Sequence, residues 1–268
     1  MQIAPSARVI YTHNPLAEVL SQVRFERILS LETERPVQFQ ETFAARDYPK
    51  LEIEDAGQFF GLAFGGEDRR AHKPFDADVS LIYHFSSVDD NWKLSLSSDF
   101  LSLTCTSYEG WPEFRRRFVE ALDVLRGIYP HLKPARLGLR YKDIIERTPL
   151  GLSSVPWREL LQPFVLGIMA SSDFSTDGFI PERALESLTS NTLLRLSDCY
   201  VSIQTAYLQS LEGDEHAFLI DSDFYSELSQ ETLPFDEVSS RFENLHNSAG
   251  ALFRRCITER LHDALGPT

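Results

Sequence analysis

The chain contains the same order of predicted elements twice: a strand, a short helix, several strands and a long helix. Two strand segments match position by position, Val23–Ile28 in the first half and Leu139–Ile144 in the second. One constant offset then relates Asp99, Phe100, Trp111, Phe114, Arg117 and Phe118 to Asp223, Phe224, Phe235, Val238, Arg241 and Phe242. Any two amphipathic helices can be aligned this well, but six matches at one offset, in elements of the same type and order, favour an internal duplication.

Hydrophobic periodicity places the elements along the chain. Apolar side chains at alternate positions predict strands, and apolar side chains three and four residues apart predict helices. The predicted strands cover 18–29, 79–87, 92–97, 100–106, 136–147, 192–197, 199–208 and 216–223. The predicted helices cover about 36–48 and 111–129, a short one near Pro156, and one C-terminal helix from Pro234 to Gly266. The Gly- and Phe-rich segment 56–78 is expected to be a long loop with one edge strand at most.

This element order predicts an α+β fold: a mainly antiparallel sheet with helices packed on one face, built by duplication of a strand-helix-strands-helix unit. We expect a single pseudo-symmetric domain over residues 1–268, with a first repeat at 18–132 and a second at 136–266. No flexible linker separates the two repeats, so their strand edges can pair into one continuous sheet. A groove between two such halves is a common place for a ligand or a partner segment.

The chain is acidic: 26 basic and 40 acidic residues among 268 leave a formal charge of −14. Affinity for phosphate backbones and for anionic lipids comes from clustered Lys and Arg, so this balance argues against nonspecific nucleic-acid binding and membrane adhesion. No apolar run approaches the roughly 18–20 residues of a membrane span, and the N-terminus lacks the cationic start and apolar core of a signal peptide. We therefore expect a cytoplasmic protein.

Catalytic and metal-binding motifs fail on their spacing. There is no Gly-x-x-x-x-Gly-Lys-Ser/Thr loop, and Gly61–Gly66 does not fit a dinucleotide fingerprint. Asp221–Asp223 begins like a calcium loop, which then lacks its glycine and its final glutamate. The three cysteines are too far apart for a metal knuckle or a disulfide framework, and the seven histidines are expected to cap helices or face solvent. The sequence therefore predicts no catalytic residues, no cofactor and no metal site.

Two arginines are candidate ligand contacts. Arg24 and Arg140 occupy equivalent places in the matched strands, each opposite the apolar face. If these strands pair about a pseudo-twofold axis, both guanidinium groups could converge on a carboxylate, a phosphate or a backbone carbonyl. The alternative is that the two arginines brace the halves together through acidic side chains.

A second candidate site is an acidic stretch. Residues 196–240 contain ten acidic residues and no Lys or Arg. Such a stretch is either a solvated face or a docking surface for a partner protein with a basic surface. The residues predicted to form this docking surface are Glu212, Asp214, Glu215, Asp221 and Asp223.

Several segments resemble one known family over the whole chain. These segments are Asn14–Val19 with Arg24 and Phe25, then Arg136–Tyr141, then Leu245 and His246 with Phe253, Ile257 and Thr258. They resemble a family of uncharacterised, sporadically distributed bacterial proteins of similar length. The resemblance implies a bacterial cytosolic protein, and the sporadic distribution suggests mobile-element or defence-linked genes. It brings no activity and no catalytic residues that could be transferred to this chain.

Three hypotheses for the function follow. The first is a non-catalytic binding or interaction protein, part of a mobile-element or defence-linked multi-protein system. The second is a sensor that binds a small anionic ligand in the groove between the repeats through Arg24 and Arg140. The third is an enzyme whose catalytic residues are dispersed along the sequence, since catalytic triads need not be local.

Overall fold

The computed structural model describes residues 3, 9–55, 81–174, 179–209, 216–228 and 235–268, with only the backbone at 235 and 236. The strands are β1 Leu16–Phe25, β2 Lys50–Asp55, β3 Leu81–Ser86, β4 Trp92–Leu96, β5 Phe100–Cys105, β6 Pro134–Glu146, β7 Leu188–Arg195, β8 Tyr200–Gln209 and β9 His216–Glu227. The α-helices are α1 Ser30–Thr33, α2 Val37–Ala44, α3 Trp111–Ile128, α4 Pro163–Leu166, α5 Phe235–Cys256 and α6 Glu259–Ala264. Short 3₁₀ turns occur at Trp157–Glu159, Gly167–Ala170 and Glu182–Ala184.

The strands form one nine-stranded sheet in the order β2-β3-β4-β5-β1-β6-β9-β8-β7. Neighbouring strands such as β3 and β4 or β8 and β9 are antiparallel. The predicted α+β class with a mainly antiparallel sheet is therefore confirmed. The placement of the helices on one face and the internal duplication stay predictions. None of the helices within the described ranges is long and apolar enough to cross a membrane.

The chain divides into two compact units. The first unit contains Leu20–Leu137 and Glu227–Phe235, and the second contains Met1–Val19, Gly138–Ser226 and Asp236–Thr268. Two of the four divisions fall inside β1 and β6, the two matched strands of the sequence, and the other two fall at the end of β9 and at the start of α5. The single pseudo-symmetric domain and its repeat limits stay predictions.

In the first unit, α2 and α3 supply aromatic side chains that pack on β3 and β4. Phe39 of α2 lies with its ring centroid 5.5 Å from that of Phe85, and Phe114 of α3 lies 6.0 Å from Trp92. The predicted apolar face of α3 is buried. Pro112 in the first turn suits the start of this helix, because its missing N–H has no partner there in any helix.

In the second unit, Trp157 lies at the centre of the core. Its side chain is fully buried, and its ring centroid lies 5.5 Å from Phe218 of β9 and 6.4 Å from Tyr207 of β8. The sequence predicts an apolar face on α5, made by side chains spaced three and four residues apart. These side chains are buried: Val238, Phe242, Leu245, Ala249, Leu252 and Cys256.

The prediction of one continuous C-terminal helix is wrong. The chain leaves helical geometry at Ile257, which forms a β-bridge with Leu161, and at Thr258, whose N–H donates to the carbonyl of Leu160. The Thr258 hydroxyl then accepts a hydrogen bond from the N–H of Leu261 and so caps α6. Contacts distant in sequence thus replace helical hydrogen bonds at this point, which the hydrophobic period alone does not reveal.

Two other differences concern the first half of the chain. The structure contains an edge strand, β2, at Lys50–Asp55, where none was predicted. Its Leu51 and Ile53 are exposed, so the period-two pattern does not mark a buried face here. The predicted loop at 56–78 lies outside the described residues.

Candidate functional site

Each of the two candidate arginines holds a carboxylate of its own unit. In the first unit, Arg24 of β1 forms an ion pair with Asp99 between exposed side chains. In the second unit, Arg140 of β6 donates from Nε to Oδ1 of Asp221 at 2.7 Å and from Nη2 to the other carboxylate oxygen. This bidentate geometry is the strong form of an arginine–carboxylate contact. Anion binding by Arg24 and Arg140 stays a prediction.

We expect the two arginines to differ sharply in their contribution to stability. Arg140→Met should lower the free energy of unfolding by about 2–3 kcal/mol, because it leaves the buried Asp221 carboxylate without its counter-charge. Arg24→Met, the matched control, should cost less than about 1 kcal/mol, because both members of the Arg24–Asp99 ion pair are in contact with solvent. Urea denaturation followed by circular dichroism measures both values. Equal costs would contradict the assignment, and Asp221→Asn in the Arg140→Met background should recover part of the loss.

The acidic stretch is only partly described. Glu212, Asp214 and Glu215 lie outside the described residues. Asp223 is half-buried, and Asp221 is only 5% exposed and bound to Arg140. Asp221 therefore does not belong to an exposed docking surface, because its carboxylate is already occupied inside the second unit. The remainder of the predicted docking surface stays a prediction.

A hydrogen-bonded chain of a carboxylate, an imidazole and a hydroxyl crosses three strands of the first unit. His84 Nε2 lies 3.2 Å from Glu54 Oε2, and His84 Nδ1 lies 2.8 Å from Ser95 Oγ. Burial lowers the pKa of His84, because the imidazolium loses water of hydration. The residue types match a serine nucleophile with its base and orienting acid.

The orientation of this chain is the reverse of what a serine hydrolase requires. Ser95 and His84 are buried, whereas Glu54 is the member that reaches the surface, on the edge strand β2. A nucleophile must meet substrate, so this arrangement fastens β2 to the sheet rather than presenting a reactive hydroxyl. The spacing of the histidines along the sequence does not mark His84; its place in the β3 alternation was the available signal.

Asp143 of β6 is a buried carboxyl on the apolar side of its strand. It is 7% exposed, and no hydrogen bond or ion pair to it occurs among the residues that the structure describes. Burial raises the pKa of Asp143 to about 8, with a further contribution from the nearby charge of Asp221. Burial likewise raises the pKa of Cys256 to about 12, so that thiol stays protonated and unreactive at neutral pH.

One group of side chains has the residue types of a metal site. The ligand atoms of Glu259, His262 and Asp263 lie within 4.8 Å of one another on α6. Two of the three already have protein partners: Arg254 donates to Glu259 at 2.6 Å, and the hydroxyl of Tyr11 lies 2.9 Å from Nδ1 of His262. Internal contacts account for this cluster, and we assign no metal to it.

An open groove of about 750 Å³ follows the outer face of α3. Its charged side chains are largely paired with one another: Arg46 with Glu120, and Arg116 with Glu113 and Glu120. A ligand would have to displace these pairs, so the groove offers little uncompensated charge for binding.

Among the residues that the structure describes, β7 is the outermost strand on one side of the sheet. It pairs with β8 over all eight of its residues, from Leu188↔Tyr207 to Arg195↔Tyr200, and it is the last strand of the sheet on that side. Most of its side chains are exposed, including Leu193 at 60%. The sequence predicted a strand at 192–197, which overlaps only the second half of β7, and the position of β7 at the edge follows only from the sheet order.

Because two comparisons with known proteins found no match, a function has to be argued from this geometry. No protein-family model matches the chain, and no curated protein matches it in sequence. The resemblance to a sporadic bacterial family stays a prediction.

Proposed function

We propose that this protein is a non-catalytic binding protein that takes up an extended polypeptide segment by strand addition to β7. The observation that carries the proposal is the outer edge of β7, eight residues long, which no other strand within the described ranges pairs with. An exposed edge strand offers a row of unpaired backbone N–H and C=O groups, which are a template for another strand.

The contrast with β2, at the other end of the sheet, supports a role for β7. Natural edge strands are protected by charged side chains, proline or bulges. β2 carries Lys50, Glu52, Glu54 and Asp55, so four of its six residues are charged. β7 contains neither proline nor any ionisable side chain before Arg195. A strand that lacks this protection would promote aggregation unless a partner covers it.

Exposed apolar side chains also occur on the segment that contacts β8, the strand paired with β7. Phe164 of α4 and Ile168 in the turn that follows are both exposed. Between them, Val165 accepts a hydrogen bond from the Thr205 hydroxyl of β8, which holds α4 against the strand next to β7. Exposed apolar groups beside an open edge are typical of protein interaction sites.

The other hypotheses rest on weaker observations. The ligand-sensor hypothesis uses Arg24 and Arg140, whose guanidinium groups already contact Asp99 and Asp221. An enzyme would need an accessible reactive group, and Ser95 is buried. A bacterial multi-protein system, the setting suggested by the sequence, would require an interaction surface of the kind we propose for β7.

Photo-cross-linking in cells tests the proposal. Leu193 is replaced by a photoreactive phenylalanine derivative, and the same replacement at the exposed Val88 of the first unit is the matched control. We expect ultraviolet light to yield one discrete adduct from position 193 and none from position 88. Mass spectrometry identifies the adduct. No adduct, or the same pattern from both positions, contradicts the proposal.

Proline substitutions add a test of the backbone contacts. Adjacent residues of a strand direct their N–H groups to opposite edges, so one of Asn191 and Thr192 donates to β8 and the other faces outward. Of Asn191→Pro and Thr192→Pro, one should therefore keep the wild-type circular dichroism spectrum and thermal stability. We expect that folded variant to lose the adduct at position 193. An undiminished adduct would show that backbone pairing is not involved.

A further inference from the structure

We infer that the strand added to β7 is the β7 of a second copy of this chain. The inference rests on the proposed function, since it names the partner at the same edge. The two copies would pair antiparallel about a twofold axis perpendicular to the sheet, which is the symmetry of most protein dimers.

The residue pattern of β7 suits pairing with itself. A twofold axis perpendicular to the sheet keeps each side chain on its own face. Residues that lie opposite each other must therefore point to the same face, which means that their numbers are both odd or both even. With the axis at Asn191, Leu188 of one copy lies opposite Leu194 of the other. Thr189 then lies opposite Leu193, and Ser190 opposite Thr192. Each of these pairs occurs twice, and both leucines of the first pair face the same side as the buried side chains Val201 and Tyr207 of β8.

Charge favours a second copy over a basic partner. The chain carries a formal charge of −14, so two copies repel except where their contact surface is free of acidic side chains. β7 has no carboxylate, and its single cation, Arg195, lies over the ring of Tyr200 in its own unit, 5.9 Å from the centroid. A basic partner would find no acidic groups along this strand. In the self-paired register no two like charges lie opposite each other.

The extent of the interface sets the expected affinity. A stable dimer buries about 800 Å² on each copy. One eight-residue edge reaches this area only with a contribution from side chains outside β7, such as the exposed Phe164 and Ile168 of the segment that contacts β8. We therefore expect a dissociation constant of about 1–10 μM, in the range of reversible dimers.

Light scattering and sedimentation of the purified full chain test the inference. We expect the mass to rise from the chain mass of 30.6 kDa to twice that value as the concentration increases to about 100 μM. Asn191→Lys should keep the protein monomeric, because the exposed Asn191 lies on the axis and two ammonium groups at this position would face each other across the pair. The matched control, Ile53→Lys on the other edge strand, should leave the dimer intact. A protein that stays monomeric, or a dimer that Asn191→Lys does not weaken, overturns the inference.

A cysteine placed on the axis gives a test that does not depend on affinity. Asn191→Cys should form a covalent dimer under mild oxidation, since Cα atoms opposite each other in antiparallel strands lie about 4.5–5.5 Å apart, within disulfide range. Thr189→Cys should not, because Leu193 lies opposite it. The native cysteines Cys105, Cys199 and Cys256 are buried.

The failure of this inference is distinguishable from that of the proposed function. If the photoreactive residue at 193 captures a different protein while the purified chain stays monomeric, the proposed function stands and the second copy is excluded. If it captures nothing, both fail.

Discussion

Replacing Trp157 by alanine is expected to lower the free energy of unfolding by about 4 kcal/mol. Removing a large buried aromatic side chain typically costs about 3–5 kcal/mol, from lost burial and from the cavity that remains. Trp157 has no exposed surface, and its ring contacts Phe218 and Tyr207, which belong to two different strands. The cavity would therefore open between the 3₁₀ turn and the sheet.

A second set of contacts adds to this cost. The guanidinium of Arg147 lies 4.7 Å from the ring centroid of Trp157. Arg147 also pairs with Glu182 at 3.1 Å, and Glu182 accepts a hydrogen bond from the N–H of Trp157 at 2.8 Å. Without the ring, the partly buried Arg147–Glu182 ion pair loses a packing neighbour and can rearrange.

Urea denaturation followed by far-ultraviolet circular dichroism measures the effect without relying on the tryptophan signal. Trp157→Phe is the control, because it keeps an aromatic ring and should lose less than half as much stability. If the alanine variant does not fold, the phenylalanine variant still reports on the site. A cost below about 1 kcal/mol for Trp157→Ala would show that the core of the second unit does not depend on this residue.

Replacing Asp143 by asparagine is expected to stabilise the protein at high pH and to change it little at low pH. Burial in the folded protein raises the pKa of Asp143 to about 8, from an ordinary aspartate value of 3.8. Between these two pH values the folded state keeps a proton that the unfolded state has released. The free energy of unfolding therefore falls as the pH rises from about 4 to about 8, and it falls no further above that.

The size of the effect follows from the same interval. One pKa unit corresponds to about 1.4 kcal/mol, and relaxation around a buried charge reduces the full value. We expect Asp143→Asn to exceed the wild type by about 3 kcal/mol at pH 9 and to match it within about 1 kcal/mol at pH 4. Within the described ranges, Asp143 interacts electrostatically with Asp221, Cys256 and Tyr11, all in the second unit.

Denaturation curves at several pH values between 4 and 9 provide the measurement. Glu146→Gln, on an exposed position of the same strand, is the matched control and should leave the pH dependence unchanged. A difference between Asp143→Asn and wild type that is the same at every pH would mean that the carboxyl does not titrate in this range.

Asp143 also illustrates what the sequence reveals about side-chain placement. The alternation of β6 puts Leu139 and Tyr141 on the buried side, and the same parity continues to Asp143 and Ile145. A carboxyl is buried as a result, while the neighbouring Ile144 is exposed. The strand geometry overrides the preference of each residue, because all side chains of one parity must share a face.

The arginine site shows the opposite case. The equivalence of Arg24 and Arg140 in the two matched strands was evident from the sequence, but their partners were not. Asp99 lies 75 residues from Arg24, and Asp221 lies 81 residues from Arg140. Such pairs form only when strands distant in the chain become neighbours. Burial of Asp221 then makes the Arg140–Asp221 pair contribute more to stability than the Arg24–Asp99 pair.

The sheet order is compatible with the predicted internal duplication, which stays a prediction. The matched strands β1 and β6 are neighbours in the order, β5 and β9 flank them, and β4 and β8 follow outward. The predicted element types and order agree with this arrangement, since local alternation and capping residues carry that information.

The sequence by itself determined the class of the fold, most strand and helix positions and the apolar faces of α3 and α5, because these depend on periodicities of two and 3.6 residues. Only the tertiary structure decided the break at Thr258, the partners of the two arginines, the burial of the Asp143 carboxyl and the position of β7 as the last strand of the sheet on its side. These features depend on which strand lies beside which, and that order arises from contacts between residues far apart in the chain.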